Sequence, residues 1–523
     1  MRQAVLSRRP GAAKSQSLSL PSPIGGLNAR DSVANMKGTD ALQMDNWFPQ
    51  TTDVAVRRGY TAFATFSGVC QSIIAYNGLT ATKVFAAVDG ATNSIMEATS
   101  GGALSTAVVG GSGPAVQAIT NCRYDYVNFG TVGGQFLSLV NGADVPLQYD
   151  GTTWIASAMT GGTPADFFTV GVYAERLWFG VKNSLRVRYL PVNSITGATV
   201  ELNLASLFAL GGTLNSIITI TDATNALADY IAFVSTEGEI VAFSGTDPAV
   251  AASWSRVAQF RVGRPVIKGN RAWCKWGADA LLICADGILP LRRAISQNTR
   301  DQTVAVSDKI RNLVNGDVSI HGARQGWGLT LHPTGFKLIL NVPTNENVES
   351  RQYVMNVQTG AWCRYIGWNG FSFEVVRDQL YWGGDGVLAK ADQVGAYSDA
   401  GIAITASSKQ AFNYFGGRGR NVQVHLMRPI FSTDGVSDVA LGVDVDYGDN
   451  EPTVFLQTGA GGGDPWGGIW DVTWSGAAVV LRDWRTVQGF GSAIAPRLRA
   501  RTDDVQMTWA ASDFVYENAS FGP

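Results

Sequence analysis

The chain has 523 residues, 46% of them hydrophobic and only 16% charged, with 60 glycines and 15 tryptophans. That length predicts roughly two to four domains, and the apolar fraction excludes a disordered chain. Forty basic against forty-two acidic residues leave a formal net charge of −2, without the global field that a tight DNA binder needs.

The first 25 residues hold Arg2, Arg8, Arg9 and Lys14, with no acidic residue and no continuous apolar core. They predict an arm that is disordered or ordered only against a partner, and not a signal peptide. No apolar run reaches the roughly 18–20 residues of a membrane span. Cys70, Cys122, Cys274, Cys284 and Cys363 lie far apart, with no C-x-x-C pair. They read as buried thiols of a protein made in a reducing cytoplasm.

From Gly25 to Tyr60, Gly-Gly, Asn and Asp punctuate short apolar stretches, and Trp47-Phe48-Pro49 ends one of them. A short helix is predicted across Asp40–Trp47, capped by Thr39. Residues 1–68 therefore read as an arm and a leader segment.

Residues 69–400 repeat one local pattern, in which a β-branched or aromatic run meets a Gly/Asp/Asn turn and then a second run. Lys83–Ala98, Pro146–Ser157, Glu175–Leu190, Asp229–Gly245, Asp279–Arg293, Phe336–Tyr365 and Asp378–Asp392 each read as a hairpin. Their turns include Asp89-Gly90, Glu237-Gly238, Asp286-Gly287 and Asp385-Gly386. Hairpins a few tens of residues apart predict a β-propeller. At roughly 40–50 residues per blade, six to eight blades fit, fewer with insertions. Ala98–Gln117 reads as a flexible turn or insertion, and a short helix is predicted around Val304–Val314.

Residues 401–523 show longer alternating strands, as in Val422–Thr433, Val439–Gly448 and Val505–Glu517. Period-two alternation predicts a β-sandwich-like domain. The fold expected is thus mainly β, with an N-terminal extended arm, a propeller core and a C-terminal sandwich. Thr458–Trp470 is a Gly-rich loop between the sandwich strands.

No constellation for catalysis, a metal or a cofactor emerges. His321 and His332 stand eleven positions apart, with His425 far away, and there is no H-E-x-x-H, Gly-Lys or G-x-S-x-G motif. Asp444, Asp446, Asp449 and Glu451 echo a calcium loop, yet Gly448 and Phe455 stand where ligands belong. They read instead as a strand with Val443, Val445 and Tyr447 inward and its carboxylates outward. A propeller glycosidase needs two carboxylates facing one pocket, while Asp150, Asp286 and Asp385 all precede Gly in predicted turns. Arginine outnumbers lysine about three to one. Its clusters, Arg57-Arg58, Arg292-Arg293, Arg418/Arg420 and Arg497/Arg499/Arg501, read as solvated edges first, protein interfaces second and nucleic-acid contacts last.

Gly25-Gly26-Leu27-Asn28-Ala29-Arg30-Asp31, Met44-Asp45-Asn46-Trp47-Phe48-Pro49 and Val56-Arg57-Arg58-Gly59-Tyr60 form a distinctive opening. With Ala242–Pro248, Val262-Gly263-Arg264-Pro265, Leu281–Leu289, Ser307–Ile310, Arg428-Pro429 and Gly489–Arg497, it resembles the tail-nozzle family of short-tailed, podovirus-type bacteriophages. That family is also called tail tubular protein B or DNA-stabilisation protein. The resemblance implies a structural virion protein at the distal tail, made in the bacterial cytoplasm, and no enzyme. It implies a homo-hexamer that continues the DNA channel below the adaptor ring, carries fibres or spikes, retains the genome and opens for ejection. Genomic double-stranded DNA would pass without sequence-specific binding. Trp47, Phe48, Arg57 and Arg58 are the expected adaptor or subunit contacts, and Gly461, Gly462, Gly463 and Trp466 the expected gate loop. The alternative is a glycan-binding propeller adhesin or receptor-binding tail protein, which would stack sugars on exposed tryptophans. Trp154, Trp178, Trp254, Trp276, Trp362 and Trp382 keep no common motif.

Overall fold

A computed structural model of the chain describes residues 15–111, 116–221, 229–267, 269–300, 304–415, 417–458, 479–481 and 483–518. Two compact units divide it. One comprises Arg58–Gly360 and Arg364–Ala400, the other Met1–Arg57, Ala361–Cys363 and Gly401–Pro523.

Among the described residues, the larger unit is a β-propeller of seven antiparallel sheets. Blade 1 takes residues 70–77 of the long strand Tyr60–Asn77, then Thr82–Asp89, Ser94–Glu97 and Ala107–Gly110. Blade 2 runs Asp125–Thr131, Gly134–Val140, Leu147–Tyr149 and Trp154–Ala156. Blade 3 is Phe167–Tyr173, Arg176–Val181, Arg186–Tyr189 and Val200–Asn203. Blade 4 is Leu214–Thr221, Asp229–Ser235, Glu239–Gly245 and Trp254–Arg261. Blade 5 holds Trp273–Trp276, Asp279–Cys284 and Gly287–Pro290. Blade 6 pairs Gly328–His332, Lys337–Asn345 and Glu349–Asn356. Blade 7 pairs Ser372–Val376, Gln379–Gly383 and Asp385–Ala391.

The first strands of successive blades adjoin around the ring, and blade 7 returns to blade 1. Between blades 4 and 5 the contact runs through Asp279–Cys284 and the 3-10 turn Asn270–Ala272. Middle strands such as Asp229–Ser235 and Glu239–Gly245 are buried almost throughout, because both faces of a blade meet neighbours.

One strand closes the ring. In Tyr60–Asn77, residues 60–69 pair with Asp385–Ala391 as the outer strand of blade 7, and residues 69–77 pair with Thr82–Asp89 of blade 1. Gly68 stands at the crossing with φ +114°, and a Cβ there would lie 2.4 Å from the Asp89 carbonyl oxygen. Only a glycine makes that crossing without strain.

The smaller unit is a two-sheet sandwich. Met507–Asn518 is central to one sheet, with Val422–Thr433 along one edge and Gln16–Pro21 and Val54–Val56 along the other. Ile402–Gln410 and Ile494–Thr502 pair in the second sheet, flanked by Asp40–Asp45 and Ser437–Val445. Trp47 is fully buried, its ring 5.8 Å from that of Trp509.

Several sequence expectations are corrected. Asp40–Asp45 is a strand, not a helix, because pairing with Ile402–Gln410 outweighs local propensity. The helix expected near Val304–Val314 begins later, as a 3-10 turn Asp308–Ile310 leading into Arg311–His321. Residues 16–21 pair with Met507–Asn518 of their own chain, while 1–14 lie outside the described residues. Within Ala98–Gln117, Gly102–Ala103 is a strand paired with residues 64–65 of Tyr60–Asn77, and Ala107–Gly110 one paired with Ser94–Glu97. Asp444 points inward and is fully buried, while Tyr447 is half-exposed; two cations waiting inside the sandwich reverse the expected facing.

Candidate functional site

The propeller axis holds a cavity of about 640 Å³, lined by residues from all seven blades. Its walls mix polar groups with apolar ones that include Ile73, Val127, Val172, Trp273, Leu329 and Phe373. Asp125, Tyr126, Arg271, Lys275 and Glu374 are the titratable groups that matter there. Glu374 lies on the first strand of blade 7 and Tyr126 on that of blade 2. Arg271 sits in the turn Asn270–Ala272, which packs against the first strands of blades 2, 4, 5 and 6.

Arg271 donates to Ser72 Oγ, a residue of blade 1. Ser72 in turn donates to the Cys122 carbonyl, 2.7 Å away, and accepts from the Tyr124 amide at 2.8 Å. Asp125 accepts from Thr169 Oγ1 at 2.7 Å and the Val170 amide at 3.1 Å, tying blade 2 to blade 3. Ser372 Oγ accepts from the Ile73 amide at 2.9 Å, tying blade 7 to blade 1. Polar side chains near the starts of the first strands thus stitch the ring from inside.

Burial pushes Glu374 up to about 7, against the weaker opposing pull of the Tyr126 hydroxyl and Arg271. Burial likewise pushes Tyr126 well above its ordinary value, with the Glu374 charge adding to it. Arg271 is lowered by burial, and Asp125 is the largest influence holding its charge.

A second cluster lies in the sandwich. Asp444 Oδ2 meets Lys409 Nζ at 2.8 Å and Arg497 Nε at 2.9 Å. Both cations also reach Asp449, which is largely exposed; the Lys409 bond, with Arg497 beside it, holds that carboxyl low. A third joins Lys337, His332 and Asp392 in blades 6 and 7. Burial alone would raise Asp392, but Lys337 and His332 bring it below its ordinary value. Thr334 Oγ1 lies 3.1 Å from His332 Nε2 and also donates to the Asp378 carbonyl, which closes a turn.

The residues singled out from sequence are scattered. Trp47, Phe48 and Arg57 are buried within the sandwich unit, where Arg57 Nε donates to Asn46 Oδ1 at 2.8 Å. These three pack within their own unit. Arg58 is half-buried and reaches the Asp392 carbonyl at 3.4 Å. Gly461, Gly462, Gly463 and Trp466 lie outside the described residues. Asp150, Asp286 and Asp385 belong to blades 2, 5 and 7, so no carboxylate pair forms from them. Asp150 accepts from the Thr152 and Thr153 amides and hydroxyls, which hold its carboxyl well below the usual range. Arg497 is spent on Asp444, and Arg499 Nε lies 3.3 Å from Glu451 Oε1. Among the six tryptophans weighed for sugar stacking, Trp178, Trp362 and Trp382 are buried and the others half-buried. Four thiols, Cys70, Cys122, Cys274 and Cys284, are pushed by burial up to about 12, which makes them inert at neutral pH.

No family model and no curated protein matches the chain. Among solved structures it is similar to Sqt1 of Saccharomyces cerevisiae, at 11% identity and a TM-score of 0.37, over 65% of this chain and 99% of that one. The β-propeller domain of Myceliophteria thermophila Cps50 (Swd1) is 12% identical with a TM-score of 0.41, over 64% and 100%. YCF48 from Cyanidioschyzon merolae is 11% identical with a TM-score of 0.36, over 66% and 97%. Likenesses this distant carry no functional argument. The propeller rests on the chain's own sheets.

Proposed function

We propose that the chain is a structural virion protein, the distal tail nozzle of a short-tailed bacteriophage. In this reading a ring of copies continues the DNA channel, retains the genome and opens for ejection. The observation that carries it is where the residues of the leader resemblance fall. Gly26, Asn28, Trp47 and Arg57 are all buried. A Cβ on Gly26 would lie 2.5 Å from the Trp362 carbonyl oxygen, and Asn28 Nδ2 donates to Asp40 at 2.7 Å. These four residues of the resemblance are therefore architectural, and a shared pattern of such residues supports a shared architecture.

Two further features support it. The axial cavity is far too small for a duplex and is crossed by Arg271, so in this reading the conduit lies between copies. A chain with balanced charge suits a wall that must not grip phosphates, because many Lys/Arg contacts would sum to a trap. The adhesin alternative would stack sugars on exposed tryptophans, and three of the six, Trp154, Trp254 and Trp276, are half-buried. The test is a conditional knockout in the phage that encodes the chain: particles assembled without it should package DNA and then lose it. Particles that keep their genome and fail only in adsorption would point to the adhesin.

A further inference from the structure

The axial cavity is built differently at its two ends. Where the first strands begin, its lining residues Tyr124, Asp125, Trp327 and Ser372 are buried. The bonds made by Asp125, Arg271 and Ser372 close the ring at that end. Where the same strands finish, Asn77 and Lys275 are exposed and Thr219 and Thr330 half-buried. The cavity is a cup, floored at one end and open to water at the other.

The polar side chains at its mouth come from four blades. Asn77 ends the first strand of blade 1, and Lys275 stands one residue before the end of that of blade 5. Thr219 and Thr330 stand two residues before the ends of those of blades 4 and 6. The first strands of a propeller run in one direction around the axis, so these positions share a height. Among the described residues, none of the four side chains has a hydrogen-bond or ion-pair partner. Deeper in the cup, Trp273 and Phe373 are half-buried. Two cations, Arg271 and Lys275, face two carboxylates, Asp125 and Glu374. These formal charges balance, so an ionic guest would carry an uncompensated charge into the cup.

We propose that the axial cup binds a neutral sugar ring. Its volume of about 640 Å³ falls inside the roughly 300–1,000 Å³ of small-ligand sites. A sugar carries hydroxyls around its rim and needs donors and acceptors on several sides. Asn77 and the two threonines supply both kinds, and Lys275 supplies donors. The aromatic rings of Trp273 and Phe373 offer π surface to the polarised C–H groups of the sugar. A purely apolar guest fits less well, because it would strip water from the mouth and leave its polar groups unpaired. The site does not depend on exposed tryptophans, and it does not rest on the nozzle reading.

The experiment titrates the full chain with the methyl α-D-glycosides of glucose, galactose and mannose, read by saturation-transfer NMR. At least one should bind with a dissociation constant of about 1 mM or tighter, little changed by salt. Thr219→Val combined with Thr330→Val keeps the shape of the mouth and removes two hydroxyls. It should weaken binding by about ten-fold. Lys275→Met, at an exposed position, should weaken it by about three-fold or more, and decides the matter if the double variant melts below the wild type. Glucuronate and glucosamine should bind no tighter than the neutral glycosides. Absence of saturation transfer to all three glycosides from the folded wild-type chain overturns the proposal. So does wild-type affinity in both folded variants, or a preference of ten-fold or more for either charged sugar.

Discussion

Arg271 and Ser72 belong to parts of the ring that do not adjoin, the turn before blade 5 and the first strand of blade 1, yet the guanidinium of one donates to the hydroxyl of the other. The bond spans the propeller axis. Because Ser72 also bonds the chain entering blade 2, one side chain ties the closure of the ring to its opposite side.

Arg271→Met should therefore destabilise the propeller. It removes a guanidinium that bonds Ser72 and acts on the buried Asp125, and breaking a buried pair from one side costs about 3–5 kcal/mol. Denaturant unfolding followed by tryptophan fluorescence measures it. A cost below about 1 kcal/mol would mean the crossing bond is ornamental.

Glu374 makes stability depend on pH in an unusual direction. Its folded value is raised to about 7 from 4.5, so the native state binds the proton more tightly than the unfolded chain. Its contribution is fully present below about pH 4.5 and is lost as pH rises through about 7. The melting temperature of the wild type, relative to Glu374→Gln, should fall between pH 5 and 8. Parallel curves would contradict the burial of that carboxyl.

In the sandwich, Asp444 and Asp449 share the same two cations but differ in exposure. Asp444→Ala takes the buried carboxylate away from Lys409 and Arg497 and should cost about 3–5 kcal/mol. Asp449→Ala, at the surface, should cost less than about 1 kcal/mol. Urea unfolding of both variants decides it, and equal costs would contradict the distinction.

Gly68→Ala tests the strand that closes the ring. A Cβ would meet the Asp89 carbonyl at 2.4 Å, with φ at +114°, a conformation that costs of order 1–3 kcal/mol for other residues. Amide exchange should show blades 1 and 7 opening first. Uniform exchange across all blades would contradict the closure assigned to Tyr60–Asn77.

Much of this was readable from residues alone, and the failures are instructive. Hairpins such as Arg176–Val181 with Arg186–Tyr189 announce themselves through β-branched and aromatic runs around short polar turns, because that information is local. The split of Tyr60–Asn77 between two blades is not local, and only Gly68 hints at it. Asp40–Asp45 reads as helical because its strand partner, Ile402–Gln410, lies more than 350 positions away. The leader reads as a separate segment for the same reason, since Trp47 finds Trp509 only after the whole propeller has intervened. Asp444 reads as a surface carboxylate because Lys409 and Arg497 come from other strands. The axial cluster escaped entirely: Asp125, Tyr126, Arg271 and Glu374 form no motif, and only ring closure brings them together.

The nozzle assignment is tested most directly by cryo-electron microscopy of the particle whose genome encodes this chain, before and after DNA release. Six copies around the distal tail axis, enclosing a channel that is constricted before release and open afterwards, is the predicted result. Copies placed off the axis, or never enclosing the channel, would contradict it.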